Sequence, residues 1–167
     1  EHYSIPLGKA RIAKEGQDVT LVSSSYMTLE AIRTAEILAK EGIEVEVVDL
    51  RSIRPLDTKT ILNSVKKTGR LVVTDPGWKS FGVSAEVVAL VAEELHGQLK
   101  CKPVRITFPD LPLPSSAGLT KLFYPRTINL INGVYGLLDL PEKTEAEMGL
   151  LTDIPFDIPD KSFSGPF

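Results

Sequence analysis

The chain carries one cysteine, Cys101, in 167 residues. A lone thiol excludes an internal disulfide and every metal site built from several thiolates, and it fits a reducing compartment. Histidine is nearly as scarce: only His2 and His96 are present, with no pair at metal-ligand spacing. His96 stands before Gly97 at the end of a helical stretch, where a positive charge complements the helix dipole, so a structural role is expected. His2 belongs to the terminus. No apolar run approaches the ~20 residues that span a bilayer, so no membrane partner is expected. Charge of one sign is also missing. With 19 basic and 22 acidic residues the net charge is −3, which gives no electrostatic footprint for nucleic acid. No glycine-rich phosphate fingerprint and no glycine-flanked serine nucleophile occurs.

What is present is ordinary for one globular domain: 43% hydrophobic and 25% charged residues, in a length able to bury a real core. The start, Glu1-His2-Tyr3-Ser4, has neither an initiator Met nor the layout of a signal peptide, and a piece of a longer chain is expected. Residues 1–18 read as an extended lead-in segment with a turn at Lys14–Asp18. An α/β unit over 19–140 follows. Val19–Ser23 is a short apolar strand, and about Thr28–Glu41 a helix with Leu29, Ile32, Ala35, Ile37, Leu38 and Ala39 as its inner stripe, stopped by Gly42. Glu44–Val48 alternates as a strand. Asp57 N-caps a helix to about Lys67, Gly69 ends it, and Arg70–Asp75 is a third strand. Asp75–Ser80, with Pro76 and Gly77, reads as a loop. Ser84–Leu95 is a helix with Ala85, Val88, Val91, Ala92 and Leu95 inward, Pro103–Thr107 a fourth strand, and Thr127–Leu138 a last helix. Between them, Phe108–Ser115 holds three prolines and excludes regular structure. Strands separated by helices of this length predict a mostly parallel sheet covered on both faces.

Residues 141–167 differ in character. Six acidic and two basic residues leave this tail at −4, and prolines at 155, 159 and 166 argue against a packed element. The tail is read as extended or partly disordered. The alternative is an arm on a partner subunit, anchored by Phe156, Phe163 and Phe167.

Few residues offer chemistry, and those that do gather where strands end, which in open α/β sheets is where sites form. Ser23, Ser24 and Ser25 are expected to satisfy backbone donors at the following helix start, or to line an anion site there. Asp49 and Arg51 read as a structural ion pair or loop clamp, with contact to a ligand or neighbouring domain as the alternative. Trp78, the only tryptophan, lies in a glycine-flanked segment and reads as an interface anchor. With Asp110 in the proline-rich loop, the candidate interface or switch-point residues are Ser24, Ser25, Asp49, Arg51, Trp78 and Asp110. No catalytic, cofactor-binding or metal-ligating residue is assigned.

The wording from Gly42 to Asp75, above all Asp49-Leu50-Arg51 through Pro55-Leu56-Asp57 and Ser64–Arg70, resembles a known family. With Ile5–Ala10, Gly16–Val22, Gly82–Glu86 and the Pro109–Pro114 loop, the resemblance covers roughly Ile5–Leu138. It is to the C-terminal domain of the β subunit of thiamine-diphosphate-dependent 2-oxo acid dehydrogenases, which transketolases share. The resemblance implies a three-layer α/β sandwich: a mixed, mostly parallel sheet of about five strands, one antiparallel at the edge, with helices on both faces. This chain departs from it in having Thr74-Asp75 where many β subunits have His-Glu, one glycine in Ser80-Phe81-Gly82, and a longer tail after Leu140.

The family places its cofactor, thiamine diphosphate with magnesium, between two other domains, so the resemblance implies no cofactor in this chain and no activity for it alone. The implied parent decarboxylates a 2-oxo acid and acylates a lipoyl carrier. The implied work of this domain is assembly, with its own N-terminal pyrimidine-binding domain, an α subunit, a second β subunit and a lipoyl acyltransferase core as partners, in the cytoplasm or the mitochondrial matrix. Two alternatives are the equivalent domain of a transketolase-like or deoxyxylulose-phosphate-synthase-like enzyme, and a stand-alone module binding a small anion near Ser25.

Overall fold

Neighbouring residues Leu21 and Val22, Val47 and Val48, and Val72 and Val73 are all buried, because successive strand side chains point to opposite faces and both faces are covered. The computed structural model describes residues 4–152, 154, 156–158, 160, 162 and 163. Five strands form one sheet: β1 (Arg11–Lys14), β2 (Val19–Ser23), β3 (Val45–Asp49), β4 (Leu71–Trp78) and β5 (Val104–Phe108), in the order β1-β3-β2-β4-β5. β3, β2, β4 and β5 run parallel, and β1 pairs antiparallel with β3 at the edge, so the mixed sheet is as expected. The lead-in segment thus supplies an edge strand.

The helices are α1 (Tyr26–Ala39), α2 (Thr58–Thr68), α3 (Val83–Glu94), the one-turn α4 (Thr120–Phe123) after a tight turn at Ala117–Leu119, and α5 (Thr127–Leu137). One face of the sheet, through Leu21, Val47 and Val72, packs on Ala31, Ala35 and Leu38 of α1 and Leu130, Ile131 and Val134 of α5. The other, through Val22, Val48 and Val73, packs on Ile61 and Val65 of α2 and Val87 and Val91 of α3. The result is three layers.

Several expectations need correction. The strand expected to stop at Asp75 continues through Pro76 and Gly77 to Trp78. Its ladder with β5 slips between Thr74 and Trp78, so Pro76 lies in an irregularity where a missing amide breaks no ladder bond. In α1 the buried side is Met27, Thr28, Glu30, Ala31, Thr34, Ala35 and Leu38; Leu29 is half-buried and Ala39 exposed. In α3 the buried residues are Ser84, Val87 and Val91, with Ala92 exposed. The caps of α2 are as read: Asp57 accepts from Thr60 N at 3.2 Å, and Gly69 takes a left-handed φ of 72°.

At the amino end of the parallel strands lies a buried polar network. Glu46 accepts from Ser64 Oγ and Lys67 Nζ, and Thr20 Oγ1 lies 3.1 Å from Ser64 Oγ and 2.8 Å from Thr68 Oγ1. Burial alone would raise the Glu46 carboxyl, but the bonds from Lys67 and Ser64 outweigh it and hold the group below its ordinary range.

Candidate functional site

The carboxyl ends of β3, β2, β4 and β5 line up on one side of the molecule, and all six candidate residues lie in or beside the connections leaving them. They fall into two groups. In the first, Asp49 closes β3 and is consumed by local partners. It accepts from Arg51 N at 3.2 Å and Thr28 Oγ1 at 3.5 Å, and it pairs with Arg11 at 3.5 Å and Arg51 at 3.9 Å. This is a loop clamp. Arg51 itself has turned into the left-handed region, φ 55°, just past the end of β3. Ser23, fully buried, ties Thr28 Oγ1 and the Val48 carbonyl together.

Ser24 and Ser25 do not cap α1 with their side chains, as the sequence reading expected. Their backbone carbonyls accept from Met27 N at 3.2 Å and Thr28 N at 3.0 Å, and Ser25 itself has φ 52°. These first-turn amides are therefore occupied, which removes donors that an anion at this helix start would need.

In the second group, the segments after β4 and β5 are stitched to one another. Trp78 Nε1 donates to the Leu111 carbonyl at 3.2 Å, and Lys79 N donates to Phe108 O at 3.0 Å. The Asp110 carboxylate accepts from Ser80 N at 2.9 Å and Ser80 Oγ at 2.7 Å, bonds that hold it below the usual carboxylate range. Arg105 donates to the Lys79 carbonyl at 2.8 Å. The stitching presents apolar surface outward: Trp78 is 53% exposed, Phe81 is fully exposed, and Leu111 and Leu113 are each 60% exposed. Ile53 and Leu7 are exposed at the neighbouring β3 connection, where Gly8 N is bonded to Ser52 Oγ. Phe81 holds φ 58°, a conformation that costs an aromatic residue of order 1 kcal/mol or more. Gly82 follows because a Cβ there would meet the Trp78 carbonyl oxygen at 2.3 Å.

Phe81, Leu111, Leu113 and Ile53 escaped the sequence reading, since an exposed apolar residue carries no periodic signal of its own. Among the described residues no three His, Cys, Asp or Glu side chains gather as a metal site, and no helix is long and apolar enough to cross a membrane.

This architecture and this loop set define a class. Residues 8–129 match the family model "Transketolase, C-terminal domain", and the chain belongs to that family. Within it, the similarity is to pyruvate dehydrogenase E1 β subunits. The mitochondrial β subunit of Dictyostelium discoideum is 42% identical over 132 residues, covering 79% of this chain and 37% of the relative. The mitochondrial β-1 subunit of Arabidopsis thaliana is 46% identical over 129 residues, 77% of this chain and 36% of the relative. The chain thus spans well under half of the curated relatives it matches. Among solved structures, a split-gene transketolase described as an inactive β4 tetramer superposes with a TM-score of 0.72 at 26% identity, over 84% of this chain and 45% of that one.

Proposed function

We propose that this chain is the assembly and docking domain of the β subunit of a thiamine-diphosphate-dependent 2-oxo acid dehydrogenase, and that it docks through the carboxyl-edge face. The observation that carries this reading is the outward Trp78, Phe81, Leu111 and Leu113 set on two loops held rigid by hydrogen bonds. Exposed aromatic and aliphatic groups clustered on a fixed frame are the usual anchors of protein interfaces, whereas a solvent face offers no reason to hold Phe81 in a costly conformation.

The parent enzyme decarboxylates a 2-oxo acid and passes the acyl group to a lipoyl carrier, in the mitochondrial matrix or the cytoplasm. Its partners at this level are the preceding pyrimidine-binding domain, the α subunit, a second β subunit and the lipoyl acyltransferase core. When bound, thiamine diphosphate supplies the carbanion chemistry, with magnesium holding its diphosphate. The residues of this face do not fit that group: the Asp49 and Asp110 carboxylates are engaged by backbone and hydroxyl donors and by Arg11 and Arg51. No catalytic step is assigned to them. The E1 β names of the relatives favour this parent over a sugar-phosphate enzyme.

Light scattering over a concentration series tests the reading, with Phe81→Ser and Trp78→Ser beside the intact chain. Self-association that both substitutions abolish, with unchanged circular dichroism, supports docking through this face. A strict monomer, or an oligomer indifferent to both changes, overturns self-docking here.

A further inference from the structure

Contacts joining residues about a hundred positions apart converge on Glu30, a buried carboxylate on α1. It accepts from Thr127 N at 2.8 Å, Thr127 Oγ1 at 2.5 Å, Tyr26 OH at 2.9 Å and Arg126 Nη1 at 3.1 Å. Arg126 uses its other nitrogen on the chain's own tail, donating to the Phe156 carbonyl and to the Ile158 carbonyl at 3.3 Å. Its guanidinium lies 5.1 Å from the Phe156 ring centroid and 5.1 Å from that of Tyr26. Phe156 is buried. One turn along α1, Arg33 pairs with Asp160 at 2.8 Å and donates to Ser162 Oγ at 3.1 Å, and Phe163 packs edge-on against Tyr26 at 5.2 Å. The bond from Arg33 holds the Asp160 carboxyl far below the ordinary range.

From these contacts we infer that the C-terminal arm is an intramolecular cap that closes the α1–α5 flank against a second copy of this chain. The arm lies past residue 129, where the family match ends. Its seat is specific: Arg33, the buried Glu30 carboxylate and the Tyr26 ring on α1, and Arg126 just before α5, each have a partner on it or through it. Beneath it lies a cavity of about 920 Å³ with Ile37, Ile128, Leu150, Ile154 and Ile158 in its wall. Removing the arm leaves that cavity as an apolar groove, takes Asp160 and Ser162 away from Arg33 on α1, and leaves Arg126 with Glu30 and Tyr26 alone of these partners. The occupant of this groove is therefore the chain's own tail, an outcome between the disordered tail and the arm on a partner subunit. Phe167, the third proposed anchor, lies outside the described residues. The further consequence, that assembly is left to the carboxyl edge, rests on the proposed function above.

The test compares the intact chain with Phe156→Ser, Asp160→Arg, and the charge swap Arg33→Asp with Asp160→Arg, all at full length. Readouts are 1-anilinonaphthalene-8-sulfonate fluorescence, amide exchange over residues 30–40, and mass by light scattering. Phe156→Ser and Asp160→Arg are expected to raise dye fluorescence several-fold, speed exchange at least tenfold and add self-association that Phe81→Ser does not remove. The swap is expected to return all three towards the intact chain. Unchanged dye binding, exchange and mass in both single variants, with native circular dichroism, would overturn the cap. If Phe156→Ser does not fold, Asp160→Arg and its swap decide alone. Dye binding and exchange report on the cap whether or not the carboxyl edge proves to be an interface.

Discussion

The two ends of the sheet are built on opposite terms. At the amino end Glu46, Lys67, Ser64, Thr20 and Thr68 are bonded to one another, and Lys67 reaches on to Glu15. At the carboxyl end the polar groups stitch loops together while Trp78, Phe81, Leu111 and Leu113 face outward. Among the described residues the one buried side-chain polar atom without a partner, Ser84 Oγ, also belongs to this end, at the start of α3. One end spends its interactions on the fold. The other holds surface in reserve, and substitutions at the two ends should separate stability from assembly.

The largest effect belongs to the amino end. Glu46→Ala leaves the Lys67 ammonium without its buried carboxylate and Ser64 without its acceptor, and should cost about 3 kcal/mol, the lower range for breaking a buried pair because Lys67 keeps contact with water. The midpoint of urea denaturation reads it, and the association behaviour of the molecules that remain folded should not change. Gly82→Ala ranks next, at about 2 kcal/mol, because the new methyl group meets a backbone oxygen that must move. Unlike Glu46→Ala it should also shift the Trp78 emission maximum, since the displaced carbonyl is Trp78's own.

Acid reads the same comparison more gently. The Glu46 carboxyl is held below its ordinary value of 4.5, so its contribution is fully present above that pH and is lost as pH falls through the depressed folded value. Thermal unfolding of the intact chain should weaken over that acidic interval, and Glu46→Gln should flatten the slope there. Asp57, also held below its ordinary value of 3.8 despite its burial, shares part of the slope and is unaffected by that substitution.

How much of this was legible in the chain depends on how far apart the determining residues lie. β2, β3 and the start of β4 are written in local apolar alternation, and Asp57 and Gly69 mark α2 within a few positions of its ends. Glu30 was unreadable as a buried residue because its partners Arg126 and Thr127 stand 96 and 97 positions away. Pro76 and Gly77 signalled a break where β4 continues, because the slipped ladder that accommodates them is a property of the pairing with β5. Ser24 and Ser25 have the composition of a side-chain cap, yet the left-handed turn at Ser25 brings carbonyls to the amides instead. The candidate face was legible as a place, the ends of the strands, and Trp78 and Asp110 as members of it. Its outermost member was not, since nothing in the local sequence separates the exposed Phe81, with its positive φ, from a core phenylalanine.

That angle makes Phe81→Ser the finest test of the contrast. The ring is fully exposed, so its removal takes no core contact away, and serine is no worse suited than phenylalanine to φ 58°. Stability should move by less than about 0.5 kcal/mol, the ordinary range for a surface position. If the carboxyl edge is a docking face, the same substitution should still remove most of the self-association, because a central aromatic anchor can carry 2 kcal/mol or more of binding. A large loss of stability would mean that Phe81 packs on its own domain and that the edge serves the fold after all. Unchanged stability with unchanged association would leave the conformational cost at Phe81 without a return, and would move the docking face elsewhere on the domain.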